Sequence, residues 1–321
     1  MTYETFLERI QVMVRQRMGD NVKVCLHTIF KNNDLKREAL CIMEEGCNIS
    51  PTIYLHSYYE EWKRGTSLEE ILEWILLEYQ TNRCGVYLDV TDLHDFEKVK
   101  RRITYKLINY ERNRQMLQDV PYRRFYDLAV VYLLMIENDF IGSGTAVIHC
   151  RQLEAWNVSE EELYHLAVQN TERLLGSEIV PMRNMILDLI RRDVGSQMSD
   201  SLEWCECSEE QADDLAEQIM EGLVPDERID MYIMSNRDKY LGAAVMLNTS
   251  CLENFVKAQG CGCFVIPSSI HEVILIPERE FVNAGVLKLL LRDINASEVD
   301  SPDYLSDQLY YFDRMRGLRT V

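Results

Sequence analysis

The chain has no apolar run long enough to cross a bilayer: its longest, Leu128 to Ile136, has nine residues, against the roughly 20 that a spanning helix needs. A secretion signal is not expected either. Met1-Thr2-Tyr3-Glu4-Thr5-Phe6-Leu7-Glu8-Arg9 carries charges where such a signal needs its apolar segment, so export is not expected and the expected location is the cytoplasm. A glycine-rich phosphate loop is missing too. Gly142-Ser143-Gly144 has neither the Lys-Ser/Thr pair nor the third glycine of phosphate and dinucleotide loops, which disfavours nucleotide hydrolysis and leads us to expect no cofactor. Positive charge is in deficit, with 34 Lys and Arg against 53 Asp and Glu, a net charge of −19. Such a chain repels a polyanion at long range, so nucleic acid is not the expected partner.

Cysteine is not scarce. Ten are present, yet a chain without an export signal is expected in a reducing environment, with free thiols. The pairs Cys205-Glu206-Cys207 and Cys261-Gly262-Cys263 could supply four thiolates to zinc, but structural sites usually space their ligands by two or more residues, and Cys263 opens an apolar strand. No metal site is expected. His94 in Asp92-Leu93-His94-Asp95 and the His149-Cys150 pair read as a helix start and a strand end before they read as a ligand set or a thiolate–imidazole nucleophile.

Length and pattern predict an α+β protein with antiparallel sheets and helices packed on them. At 321 residues with 47% hydrophobic content, two domains are the natural division. We expect an N-terminal α+β region over 1–198, an acidic helical connector over 199–230, and a C-terminal α+β domain over 231–321. The connector holds twelve acidic residues against Arg228 alone, and Ser208 with Gln211 caps a helix whose Leu215, Ile219 and Met220 form a narrow apolar stripe. Between Lys98 and Arg124 the balance reverses, with nine bases against Glu111 and Asp119. With Tyr105, Tyr110 and Tyr122 interspersed, that stretch is the one candidate nucleic-acid footprint.

Periodicity places a helix over Thr2 to Met18 and strands at Val22–Phe30 and Glu38–Met43 around the turn Asn32-Asn33-Asp34. An aromatic-striped helix carries Tyr54, Tyr58 and Trp62, and Ser67/Glu70 and Ser159/Glu162 form capping boxes. The C-terminal part reads as ββαββαβ: strands Met231–Met234 and Tyr240–Leu247, a helix from Ser250, strands on either side of Pro267-Ser268-Ser269-Ile270-His271-Glu272, a helix over Arg279–Ile294, and a strand Gln308–Phe312. Its core is expected around Val265, Ile274, Leu275 and Leu289.

The connection from Pro267 to Glu272 is the only place where a hydroxyl, an imidazole and a carboxylate crowd together, so Ser269, His271 and Glu272 are the candidate catalytic residues. In a continuous strand, period 2 would set Ser269 and His271 on one face and Ser268 and Glu272 on the other. A Ser–His–acid site would then need a carboxylate from elsewhere, such as Glu253 or Asp303. The alternative is a polar turn that bonds its own backbone.

The segments Asn48-Ile49-Ser50-Pro51-Thr52-Ile53-Tyr54-Leu55, Val180-Pro181-Met182-Arg183, Met231-Tyr232 with Gly242-Ala243-Ala244, and Pro267 to Glu272 resemble an uncharacterised domain-of-unknown-function family (5688-type) of gut Firmicutes bacteria. The resemblance covers nearly the full length and implies a bacterial protein without an established activity. Two functions are compatible with the chain: non-enzymatic binding of a protein partner, and a hydrolase or metal-dependent enzyme at Ser269, His271 and Glu272. A pocket that holds Ser269 and His271 with a third carboxylate within hydrogen-bond reach would favour the enzyme, and a solvent-facing turn would favour binding.

Overall fold

The computed structural model describes residues 1–83, 91–138, 142–187 and 230–321. The acidic connector, with Cys205 and Cys207, lies outside them except for Asp230. The chain is α+β and divides into two compact units, Met1–Thr104 with Tyr110–Tyr122 and Val131–Ala167, and Tyr105–Asn109 with Arg123–Val130 and Val168–Val321.

In the first unit, α1 (Tyr3–Met18) starts where Thr2 accepts the Thr5 N–H, and it stops at Gly19, whose φ of 80° suits glycine. The hairpin of β1 (Val22–Lys31) and β2 (Leu35–Glu44) runs in register from Val22 opposite Glu44 to Lys31 opposite Leu35. Its turn holds Asn33 and Asp34 at φ 63° and 49°, a left-handed conformation that short polar side chains tolerate. Tyr54, expected in a helix, instead pairs with Ala39 in β3 (Thr52–Tyr54), and α2 (His56–Lys63) begins only after it. The reciprocal bonds between Ser67 and Glu70 open α3 (Leu68–Asn82). Phe6, Ile10, Val14, Ile53, Ile71 and Ile75 close one core between these helices and the sheet.

Next come α4 (Phe96–Val99), β4 (Ile103–Asn109), β5 (Tyr122–Phe125), β6 (Leu128–Asn138), β7 (Gly142–Val147), α5 (Cys150–Trp156) and α6 (Glu160–Leu175). The strands form a sheet in the order β4-β6-β5, with β7 on β6. Apart from Lys106, β4 is buried along its whole length, as expected of a strand covered on both faces.

The second unit is built on a six-stranded antiparallel sheet in the order β13-β12-β10-β11-β9-β8. Its strands are β8 (Glu178–Pro181), β9 (Tyr232–Ser235), β10 (Cys263–Ile266), β11 (Val273–Pro277), β12 (Tyr310–Asp313) and β13 (Gly317–Thr320), with helices α7 (Thr249–Gln259) and α8 (Ala284–Ser297). Phe264, Ile266, Ile276, Leu287, Leu291 and Leu309 form a core cluster.

Three expectations need correction here. The stretch read as a strand over Tyr240–Leu247 contains a 3-10 helix, Gly242–Leu247. Lys239 and Leu241 both adopt φ 53°, which no strand accommodates. The order from residue 231 is therefore strand, 3-10 helix, helix, two strands, helix, two strands. The helix read over Arg279–Ile294 begins only at Ala284, where the Asn283 side chain accepts the Gly285 and Val286 N–H groups, and it runs to Ser297. Within the expected core, Val265 and Leu275 are fully buried, Ile274 is half-buried, and Leu289 is 63% exposed. The reason is helical geometry: Leu287, Leu291 and Asn295 occupy the inward row of α8, and two residues of advance carry Leu289 about 200° away from it.

Candidate functional site

The Pro267–Glu272 connection does not continue either strand. β10 ends at Ile266 and β11 starts at Val273, so the two-face alternation does not apply, and the backbone folds back so that Ser269 N–H points to the Glu272 carbonyl at 3.4 Å. Four neighbours fix this loop. Ile270 donates to the Asp303 carbonyl (2.9 Å) and accepts from Ala243 (3.2 Å). The Ser235 hydroxyl donates to the His271 carbonyl at 2.7 Å. Leu241 N–H donates to His271 Nδ1 at 3.2 Å. Gly242 is required at the crossing, because a Cβ there would stand 2.1 Å from Ser235 Oγ and 2.6 Å from the His271 carbonyl oxygen.

Ser269, His271 and Glu272 line one cleft of 560 Å3, together with Ser268, Tyr240 and Asp303. Lys239, Glu298 and Asp300 complete its polar rim. A chamber of 30 Å3 shares Met185, Lys239 and Glu272 with the cleft and reaches Ser235 and Asn236. The Asn236 side chain clasps Tyr240 from both sides, with Nδ2 on the Tyr240 carbonyl (2.9 Å) and Oδ1 accepting its N–H (3.3 Å). The Tyr240 ring thereby stands 57% exposed at the mouth, 5.5 Å from the His271 ring.

The polar groups are committed in pairs that differ from a nucleophilic relay. Ser269 Oγ donates to Glu272 Oε1 at 2.9 Å and accepts the His271 N–H at 3.0 Å. Ser268 Oγ is 3.3 Å from the same carboxylate oxygen. His271 Nδ1 is occupied by Leu241 N–H, so the neutral ring carries its proton on Nε2, which faces Asp303 Oδ1 at 3.5 Å. A triad needs one imidazole nitrogen on the serine and the other on the acid. Here the acid is in place, supplied by Asp303 and not by Glu253, but the serine hydroxyl donates to Glu272 and not to the imidazole.

Elsewhere, His149 Nδ1 lies 2.9 Å from Asp119, and Cys150 is not activated, because burial first and Asp119 and Glu154 next push its thiol up. Burial pushes the Cys263 thiol up to about 12. His94 is exposed, and among the described residues no group of three or more His, Cys, Asp and Glu is placed to hold a metal. In the basic stretch, Tyr105 is buried in β4, the Tyr110 and Tyr122 rings pack at 5.8 Å, and Lys98, Lys100 and Arg114 pair with Asp92, Glu97 and Glu111.

The sequence pointed to Ser269, His271, Glu272 and Asp303. It gave no sign of Tyr240, Lys239, Glu298 or Asp300, because a supposed strand hid the two left-handed residues beside Tyr240, and the end of α8 was placed too early. The segments Val180–Arg183, Met231-Tyr232, Gly242–Ala244 and Pro267–Glu272 all belong to the second unit. The chain belongs to a family of unknown function (DUF5688), which it matches over residues 3–314. No curated protein and no solved structure matches it.

Proposed function

We propose that the protein binds a protein partner without catalysis, and that the cleft beside the Pro267–Glu272 loop receives a basic side chain of that partner. One observation carries the reading: the exposed Tyr240 ring sits in a rim that sets Glu272, Glu298, Asp300 and Asp303 against Lys239 alone. An aromatic face beside carboxylates suits an ammonium or guanidinium group, through cation–π attraction and charge together. The hydrogen-bonded loop beneath keeps the walls in place before binding, which lowers the ordering cost.

Titration of the full chain with a lysine pentamer and with its fully acetylated counterpart tests this. The lysine form should bind saturably, the acetylated form should not, and Tyr240→Ala and Asp303→Asn should each weaken binding several-fold. Equal affinity for both peptides, or indifference to both substitutions, refutes the reading. The approach of Asp303 to His271 supports a hydrolase as the second reading. Turnover of an ester panel that is lost in both Ser269→Ala and His271→Ala would establish it.

A further inference from the structure

Four large apolar residues of α8 face outward, where a surface helix should be polar. Val286 is 62% exposed, Leu289 63%, Leu290 49% and Ile294 37%, with Phe281 at 59% just before the helix. Val286, Leu290 and Ile294 are spaced by four residues and so form one row along the helix. Glu298, the residue that caps α8, lines the cleft. Glu298 to Asp300 follow α8 directly, so the cleft lies at the C-terminal end of the helix that carries these apolar residues. At that end the surface is acidic, with Glu298, Asp300 and Asp303. Lys288, Arg292 and the exposed Asp293 lie among these apolar residues, between Val286 and Ile294 in the chain.

We infer that this surface docks an amphipathic helix of another protein, whose apolar face lies along α8 and whose basic end enters the cleft. The inference rests on the reading of the cleft given above and deepens it. Helix-on-surface recognition uses apolar anchors at i, i+3, i+4 and i+7, and Val286, Leu289, Leu290 and Ile294, at i, i+3, i+4 and i+8 of α8, present apolar surface to such anchors. Charge selects the occupant. A basic end meets the carboxylates of the cleft. A second copy of this chain is the weaker occupant, because two chains of net charge −19 repel, and an anionic bilayer meets the same repulsion at the cleft.

The test uses the full chain and three labelled 15-residue helical peptides with one backbone design. The first has an apolar stripe and two lysines at one end, the second has glutamates in place of the lysines, and the third keeps the lysines but has serines in the stripe. Fluorescence anisotropy should give saturable binding of the first alone. Leu289→Ser combined with Leu290→Ser should weaken it at least tenfold, and Asp303→Asn several-fold, with circular dichroism confirming that each variant is folded. If Asp303→Asn weakens binding while the double serine variant does not, the docking inference fails and the cleft reading stands. Loss in the double variant with no effect of Asp303→Asn removes the cleft from the interface and overturns the inference as stated. A dimer in light scattering that dissociates on Leu290→Ser, or displacement of the peptide by anionic vesicles, also overturns it.

Discussion

Gly242→Ala is the sharpest probe of how the cleft is held. The added Cβ would meet Ser235 Oγ at 2.1 Å, the His271 carbonyl oxygen at 2.6 Å and the Asn236 backbone nitrogen at 2.7 Å, all well inside the ordinary contact distance of about 3.5 Å. A side-chain hydroxyl can rotate away, whereas the two backbone atoms belong to Asn236, directly after β9, and to the loop that carries His271. Overpacking costs about 1–3 kcal/mol. The upper part of that range applies, because backbone must move, and losing the bond from Ser235 to His271 adds about 1 kcal/mol. We therefore expect Gly242→Ala to destabilise the protein by about 3 kcal/mol, against about 1 kcal/mol for Ser235→Ala alone. The informative variant combines both. Removing the hydroxyl relieves the closest contact but leaves the two backbone contacts, so the double variant should remain about 2 kcal/mol or more less stable than Ser235→Ala. Urea denaturation followed by far-ultraviolet circular dichroism measures all three. A double variant as stable as Ser235→Ala would refute the argument, since the crossing would then be limited by the side chain and not by backbone proximity.

Two further outcomes follow from the packing and the caps. Leu275→Ala, at a fully buried position in a central strand, should cost about 2–5 kcal/mol, whereas Leu289→Ala should stay within about 0.5 kcal/mol; equal losses in denaturation midpoint would return Leu289 to the core. Bonds from the Ser67 and Ser159 hydroxyl and N–H groups hold the Glu70 and Glu162 carboxyls below their usual range, so the stability they contribute is complete above the unfolded value near 4.5. It is lost as pH falls through the lower folded values. Denaturation midpoints between pH 6 and 3 should therefore fall less steeply in Ser67→Ala with Ser159→Ala than in the parent chain, and parallel curves would show that the caps do not titrate in this way.

The sequence alone determined the features that depend on near neighbours. The hairpin turn at Asn32-Asn33-Asp34, the capping boxes at Ser67 and Ser159, the stop at Gly19 and the paired strands around Pro267–Glu272 each follow from residues within a turn of one another, where spacing and side-chain chemistry suffice. The choice of Ser269, His271 and Glu272 belongs to the same class, since their proximity is local. Only the tertiary structure decided how those groups are used. His271 Nδ1 is taken by Leu241, thirty residues earlier, and its loop is held by Ser235 and Asp303, contacts that no local pattern encodes. The same holds for Leu289. Apolar residues on two opposite sides of α8 let it pack in either direction, and which side meets the sheet was fixed by the placement of Leu287 and Leu291 against Phe264 and Ile276, a long-range choice that leaves the other apolar residues facing solvent.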